Sequence, residues 1–164
     1  MNELNEELVR KISKLKNEPN WMLEFRLNSL KSFFELENPS FGPKIELDFS
    51  KINYYKKVSE EKNDWNEVNV DVKNTFKELG VIDAEEKYLG GVTNQFESEV
   101  VYHKNKFDNE NVIFMSTDDA LKKHPEILKK YFNNLVKYYE NKYTAINGAL
   151  WSGGTFIYIP PYTK

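Results

Sequence analysis

The sequence contains no cysteine, which excludes disulfides, thiolate catalysis and cysteine-ligated zinc or iron–sulfur clusters within this chain. Histidine occurs only as His103 and His124, a poor substitute for thiolate ligands. No apolar run approaches the ~18 residues of a membrane span. The opening stretch MNELNEELVRKISKLK has no apolar h-region, so no secretory signal is expected and a cytoplasmic location is. There is no excess of positive charge either: 26 acidic residues against 23 basic ones give a net charge of −3. Such a balance offers no global field for grasping a phosphate backbone, so neither nucleic acid nor membrane is an expected partner. Glycine and proline are sparse, at 7 and 6, and no repeat, Pro-rich linker or low-complexity tract divides the chain. Ser–His–Asp order, GxSxG, HExxH and a phosphate-binding GxxxxGK[ST] loop are all missing.

What remains is a chain built to fold. Its 164 residues make about one domain, since domains run roughly 100–200 residues. Hydrophobic residues make up 40% and aromatic ones 15%, a composition that disorder does not tolerate. The basic residues are 21 Lys and only two Arg, Arg10 and Arg26, beside 19 Asn and 4 Ala.

Leu4, Leu8, Ile12 and Leu15 recur at helical spacing, with Glu early and Lys late. After Pro19 a second helix carries Leu23, Leu27, Leu30 and Phe34 in one stripe, widened by Trp21, Met22, Phe25 and Phe33, with Asn17 as its expected N-cap. A stripe that wide must be covered, by the core or by a partner. Residues 39–62 read as extended chain and turns. Val72, Phe76 and Leu79 mark a short helix closed by Gly80. Asp83-Ala84-Glu85-Glu86 has the form of a capping box, opening a helix that stops at Gly90–Gly91.

Residues 96–102 and 111–114 read as strands. Ser116-Thr117-Asp118-Asp119 opens a helix, with a hydroxyl cap and acids at the positive end of the dipole. Pro125 begins another, with Leu128, Phe132 and Leu135 at i, i+4 and i+7. Residues 142–151 form one more helix, Gly153–Gly154 break it, and Thr155–Ile159 is an apolar strand. Helices and strands intermixed without βαβ regularity predict an α+β fold. The final strand either pairs with an earlier one, such as 96–102, or belongs to a sheet outside the chain, and the second reading is preferred. Without such a sheet, self-association through this C-terminal strand or a folded-back intramolecular sheet is expected.

Few residues offer chemistry. Strand periodicity places Glu97, Glu99 and His103 on one face, a set whose residue types could bind a metal or trade protons but which is read as a solvated polar face or one salt-bridged to neighbouring Lys. His124 is read as a helix-junction residue, Asp118–Asp119 as capping acids rather than a divalent site, and Gly153–Gly154 as a hinge rather than a phosphate loop. No catalytic, cofactor-binding or metal residue is assigned, and the chain is not expected to be an enzyme.

Four ordered blocks carry a resemblance. They are KNEPNWMLEFR (16–26), LGVIDAEEKYLGGVTNQFESEVVYH (79–103), NVIFMSTDDALKKHPEILKKYF (111–132) and NKYTAINGALWSGGTFIYIP (141–160). Together the chain resembles, from about residue 11 to 160, the N-terminal region of SufB, in the SufB/SufD family of the SUF iron–sulfur cluster assembly system. The resemblance implies a helical N-terminal region (1–150) leading at 151–164 into a right-handed parallel β-helix whose core the chain lacks. It implies a scaffold component that works with the ATPase SufC, the paralogue SufD and sulfur-donor proteins, with ATP on SufC and the cluster held by the scaffold complex. The family's cysteine, glutamate and histidine for that chemistry lie in or after the β-helix, so none maps onto a residue here. An alternative is a stand-alone interaction module that binds a partner through the Trp21–Phe34 face.

Overall fold

A computed structural model of the chain describes residues 3–43, 46–80, 89–107 and 111–163. The helix expected to open at Asp83–Glu86 lies outside these residues. The fold is α+β, as expected. Its helices and two small antiparallel sheets gather into two compact units, one of Met1–Tyr55 with Leu121–Trp151, the other of Lys56–Ala120 with Ser152–Lys164.

In the first unit, α1 (Glu6–Leu15) starts where the Asn5 side chain accepts from the Leu8 amide at 2.9 Å, with Glu6 and Glu7 at the positive end of its dipole. Its buried face is Leu8, Val9, Ile12 and Ser13, while Leu15 stays exposed. Asn17 closes α1 instead of opening the next helix. Its φ is +51°, its amide bonds Lys14 O at 3.1 Å, and the Glu18 amide reaches back to Ser13 O at 3.1 Å. That pair of bonds is a Schellman stop, and asparagine tolerates its left-handed position better than most residues. The N-cap of α2 (Asn20–Glu35) is therefore Pro19, which makes no side-chain cap bond.

Helix α2 packs on α6 (Lys142–Leu150), burying Met22, Arg26, Ser29, Leu30 and Phe33 on one side and Ala145, Gly148 and Ala149 on the other. Small residues on α6 let the two helices approach closely: a Cβ at Gly148 would stand 2.6 Å from Ser29 Oγ and 3.0 Å from the Cβ atoms of Ser29 and Tyr138. Helix α6 is started by a capping box, in which the Asn141 side chain accepts from the Thr144 amide at 3.0 Å and Thr144 Oγ1 accepts from the Asn141 amide at 3.1 Å.

Helix α4 (Thr117–Lys123) opens as expected, with Ser116 Oγ accepting from the Asp119 amide at 3.3 Å. Pro125 likewise starts α5 (Pro125–Tyr131). The helical spacing read through to Leu135 does not hold. Phe132 already has ψ 130°, Asn133 follows at φ +56°, and Leu135 is 96% exposed.

The second unit is built on a hairpin of β1 (Gly91–Phe96) and β2 (Glu99–Asn105), turned at Glu97–Ser98. One face of it, Val92, Val101 and Tyr102, packs with Val68 and with Val72 of α3 (Val70–Glu78), and Trp65 stacks edge-on against Tyr102 and Phe76. Lys62 adds a short parallel bridge beside Tyr102. The Gly90–Gly91 pair leads into β1, and the helix it was read as stopping lies outside the described residues. The ring of Phe114 lies so close to Gly91 that a Cβ there would meet it at 2.5 Å. The second sheet pairs β3 (Ile113–Ser116) with β4 (Thr155–Tyr158), from Ile113↔Tyr158 to Ser116↔Thr155. The C-terminal strand thus has an internal partner, contrary to the reading preferred from sequence, and that partner is β3 rather than 96–102. Among the described residues its other edge meets no strand, and Ile157 and Ile159 stand 54% and 61% exposed.

Candidate functional site

The three residues offered as one polar face are separated by the hairpin itself. Six residues of β1 face seven of β2, so Val101 has no partner across the ladder, a bulge between the Asn94↔Tyr102 and Gln95↔Val100 pairs. A bulge shifts the alternation by one, which puts Glu99 and His103 on opposite faces although they are four residues apart. Glu97 is on neither face. It sits in the turn at φ +56°, exposed, and takes a salt bridge from Lys56 Nζ at 3.0 Å. His103 is 8% exposed, with Nδ1 3.0 Å from Thr93 Oγ1 and its ring 4.9 Å from that of Phe114. These are the contacts of a packed side chain.

The remaining candidates also go to structural work. Asp118 and Asp119 lie in the first turn of α4. His124 is the residue before Pro125 at the start of α5, without a side-chain cap bond. Among the described residues no group of three or more His, Asp or Glu converges as metal ligands. At Gly153–Gly154 both φ angles are positive, and Gly154 at +114° adopts a backbone that side-chain-bearing residues rarely reach. This corner offers a carbonyl, since Gly154 O accepts from the Thr117 amide at 2.9 Å, whereas a phosphate loop would aim N–H groups. Near Asp48, electrostatics are local: the Ser50 hydroxyl, then Lys51, hold its carboxyl below the ordinary range, and burial, with the charge of Asp48, raises the Tyr54 hydroxyl.

The site with the most geometry was not singled out by sequence. Arg26, fully buried in the middle of α2, meets Glu18 in a bidentate pair, Nε to Oε2 at 2.7 Å and Nη2 to Oε1 at 2.6 Å, with both side chains at 0% exposure. Its other N–H groups reach Ala149 O at 3.0 Å and Trp151 O at 2.9 Å. The guanidinium also lies 4.7 Å from the centre of the Trp151 ring. A cation here satisfies orphan carbonyls at the negative end of α6 and fixes the direction in which the chain leaves it. Lysine could not supply this fork of donors. One signal was available: Arg26 is one of two arginines in a chain of 21 lysines, and it lies inside an apolar stripe.

Glu18 and Arg26 belong to the first block that carries the resemblance, and Ala149 and Trp151 to the last, so the ion pair is where those blocks meet. A family model described as the SufBD protein N-terminal region matches residues 16–164, from just before the Arg26 network to beyond β4. The chain belongs to the SufBD family. An iron-sulfur cluster assembly SufBD family protein of Staphylococcus aureus (strain USA300) is 48% identical over 165 residues, covering 98% of this chain and 36% of its own length. A protein of the same description from Staphylococcus saprophyticus is 47% identical over the same shares. This SufBD chain therefore spans little more than a third of those relatives. Among its described residues no helix is long and apolar enough to cross a membrane.

The Trp21–Phe34 face, the alternative docking surface, is mostly used up within the first unit. Met22 and Phe33 are buried, Phe25 stacks edge-on with Phe132 and Tyr138, and Lys129 lies over Trp21, leaving Phe34 as the exposed ring.

Proposed function

We propose that this chain acts as the non-enzymatic N-terminal part of a scaffold for iron–sulfur cluster assembly, with the nascent cluster as cargo of the complex and not of these residues. The observation that carries the reading is the match to the SufBD N-terminal region across 16–164, joined to a sequence without a single thiolate. The structure of the candidate residues is in keeping with it: the buried imidazole is packed, the turn carboxylate is paired to lysine, and the buried Arg26–Glu18 pair ties helices together. Its partners in this reading are a SufC-type ATPase, a SufD-type paralogue and sulfur-donor proteins, and its location is the cytoplasm. The open edge of β4, with Ile157 and Ile159 exposed, is where a following β-helix would take up the ladder.

Anaerobic reconstitution with ferrous iron and sulfide tests the reading. The monomer is expected to hold no stoichiometric cluster by visible absorption and by iron and sulfide assay, because thiolates are the usual cluster ligands. A cluster retained by the monomer through gel filtration would contradict it.

A further inference from the structure

Between α5 and α6 the chain forms a loop whose two ends are pinned and whose tip is held out. The rings of Phe132 and Tyr138 both stand edge-on to Phe25, at 5.3 and 5.4 Å, so both ends of the loop are tied to α2. Between those anchors the backbone is braced by its own side chains. Asn133 accepts from the Tyr138 amide at 2.9 Å and donates to Val136 O at 2.7 Å. Asn134 donates to Lys130 O and accepts from Lys137 Nζ at 3.0 Å, while Glu140 accepts from the Lys137 amide at 2.8 Å. What this bracing presents to solvent is apolar: Leu135 at 96% exposure, Val136 at 55%, and Tyr131 and Tyr139 flanking them.

Four large apolar side chains within nine residues are held at the surface by an ordered loop, Leu135 almost wholly clear of the core and the other three about half exposed. A rigid apolar tip does reduce the ordering cost of binding, and buried anchors of this kind carry most of the energy of an interface. Its charge defines the partner. Lys129 lies over the Trp21 ring and Lys130 over the Tyr131 ring, Lys137 is held by Asn134, and none of the three ion-pairs with a carboxylate of the described residues. We propose that loop 131–139 is a docking knob for an acidic protein, with Leu135 and Val136 entering an apolar pocket and the three lysines meeting carboxylates on its rim. An anionic bilayer fits less well. The tip is two aliphatic residues wide, whereas a membrane-seated helix lays down a long apolar face.

The test places a photo-crosslinking benzoylphenylalanine at position 135 of the full chain in its host cells, with the same label at Lys31, an exposed position on α2, as control. The adduct formed only at 135 is identified, that protein is purified, and its binding is measured by titration calorimetry. The expected partner is acidic, its cross-linked residue apolar and bordered by Asp or Glu. Leu135→Asp should weaken binding about 30-fold or more, the size of a hot-spot loss. Changing Lys129, Lys130 and Lys137 together to Gln should weaken it about tenfold and flatten its salt dependence. Because Leu135 makes no core contact, the melting temperature of Leu135→Asp should match the parent, which separates lost docking from lost fold. The proposal is overturned by adducts no stronger than at Lys31, by a partner whose affinity ignores Leu135→Asp, by an adduct with a second copy of the chain, or by Leu135-dependent binding to phosphatidylglycerol vesicles.

Discussion

Replacing Arg26 by alanine is expected to cost about 3–5 kcal/mol of stability, the scale for removing one partner of a buried ion pair. The loss is large because three acceptors are orphaned at once: the Glu18 carboxylate and the carbonyls of Ala149 and Trp151. Glu18, with its side chain fully covered, would be left as an unpaired buried charge. Arg26→Lys should recover only part of the loss, since an ammonium cannot serve the bidentate carboxylate and two carbonyls together. Changing Arg26 to Met and Glu18 to Leu together should do better than Arg26→Ala, because apolar groups of similar volume remove the desolvation cost from both sides. Urea denaturation of the parent and the three variants checks the order. An Arg26→Ala protein within 1 kcal/mol of the parent would mean the ion pair is solvated.

Gly148→Val is expected to cost about 3 kcal/mol through overpacking at the crossing of α2 and α6. Two of the three atoms a Cβ would strike are themselves Cβ atoms, of Ser29 and Tyr138, which cannot swing aside as a side-chain terminus can. Ser29 Oγ, the third, is committed to Phe25 O at 2.8 Å. Relief therefore requires the helices to separate or the Tyr138 anchor to lift. Gly148→Ala makes the sign informative: helix propensity alone favours alanine by about 1 kcal/mol, whereas the crowded crossing opposes it. Thermal melts of both variants decide. A more stable Gly148→Ala protein would show that the helices have room to spare.

The helices were legible where apolar period and cap chemistry agreed, as in α1, in α3 with its Gly80 stop, and at the Ser116 and Pro125 starts. Errors came where one residue type serves two purposes. Asn17 fits an N-cap as well as a left-handed C-terminal stop, and only the tertiary path after Ser13 selects the second. Asn133 and Asn134 bind nearby backbone groups and so end α5 before Leu135, a local competition that an i, i+4, i+7 pattern does not register. Strand β1 was missed because Gly90–Gly91 fits a helix stop and Val92–Gln95 has little apolar alternation. The proposed carboxylate–histidine face failed for two reasons, the turn that takes Glu97 out of the strand and the bulge at Val101 that parts Glu99 from His103, since period-two reasoning assumes one unbroken ladder. Family membership was legible because it rests on long ordered blocks. The Arg26 network was not, because beside Glu18 its acceptors are backbone carbonyls more than 120 positions away along the chain.

In the function proposed above, this chain does the work of a SufBD N-terminal region inside a longer scaffold. A chimaera tests it most directly: the matching region of the 48% identical Staphylococcus aureus protein is replaced by this chain, and the chimaera becomes the cell's sole copy of that protein. The activity of an iron–sulfur enzyme in those cells is then read beside the soluble level of the chimaera. Activity restored to the level given by the parent protein is the expected result. A chimaera that accumulates in soluble form yet leaves the enzyme without its cluster would contradict it.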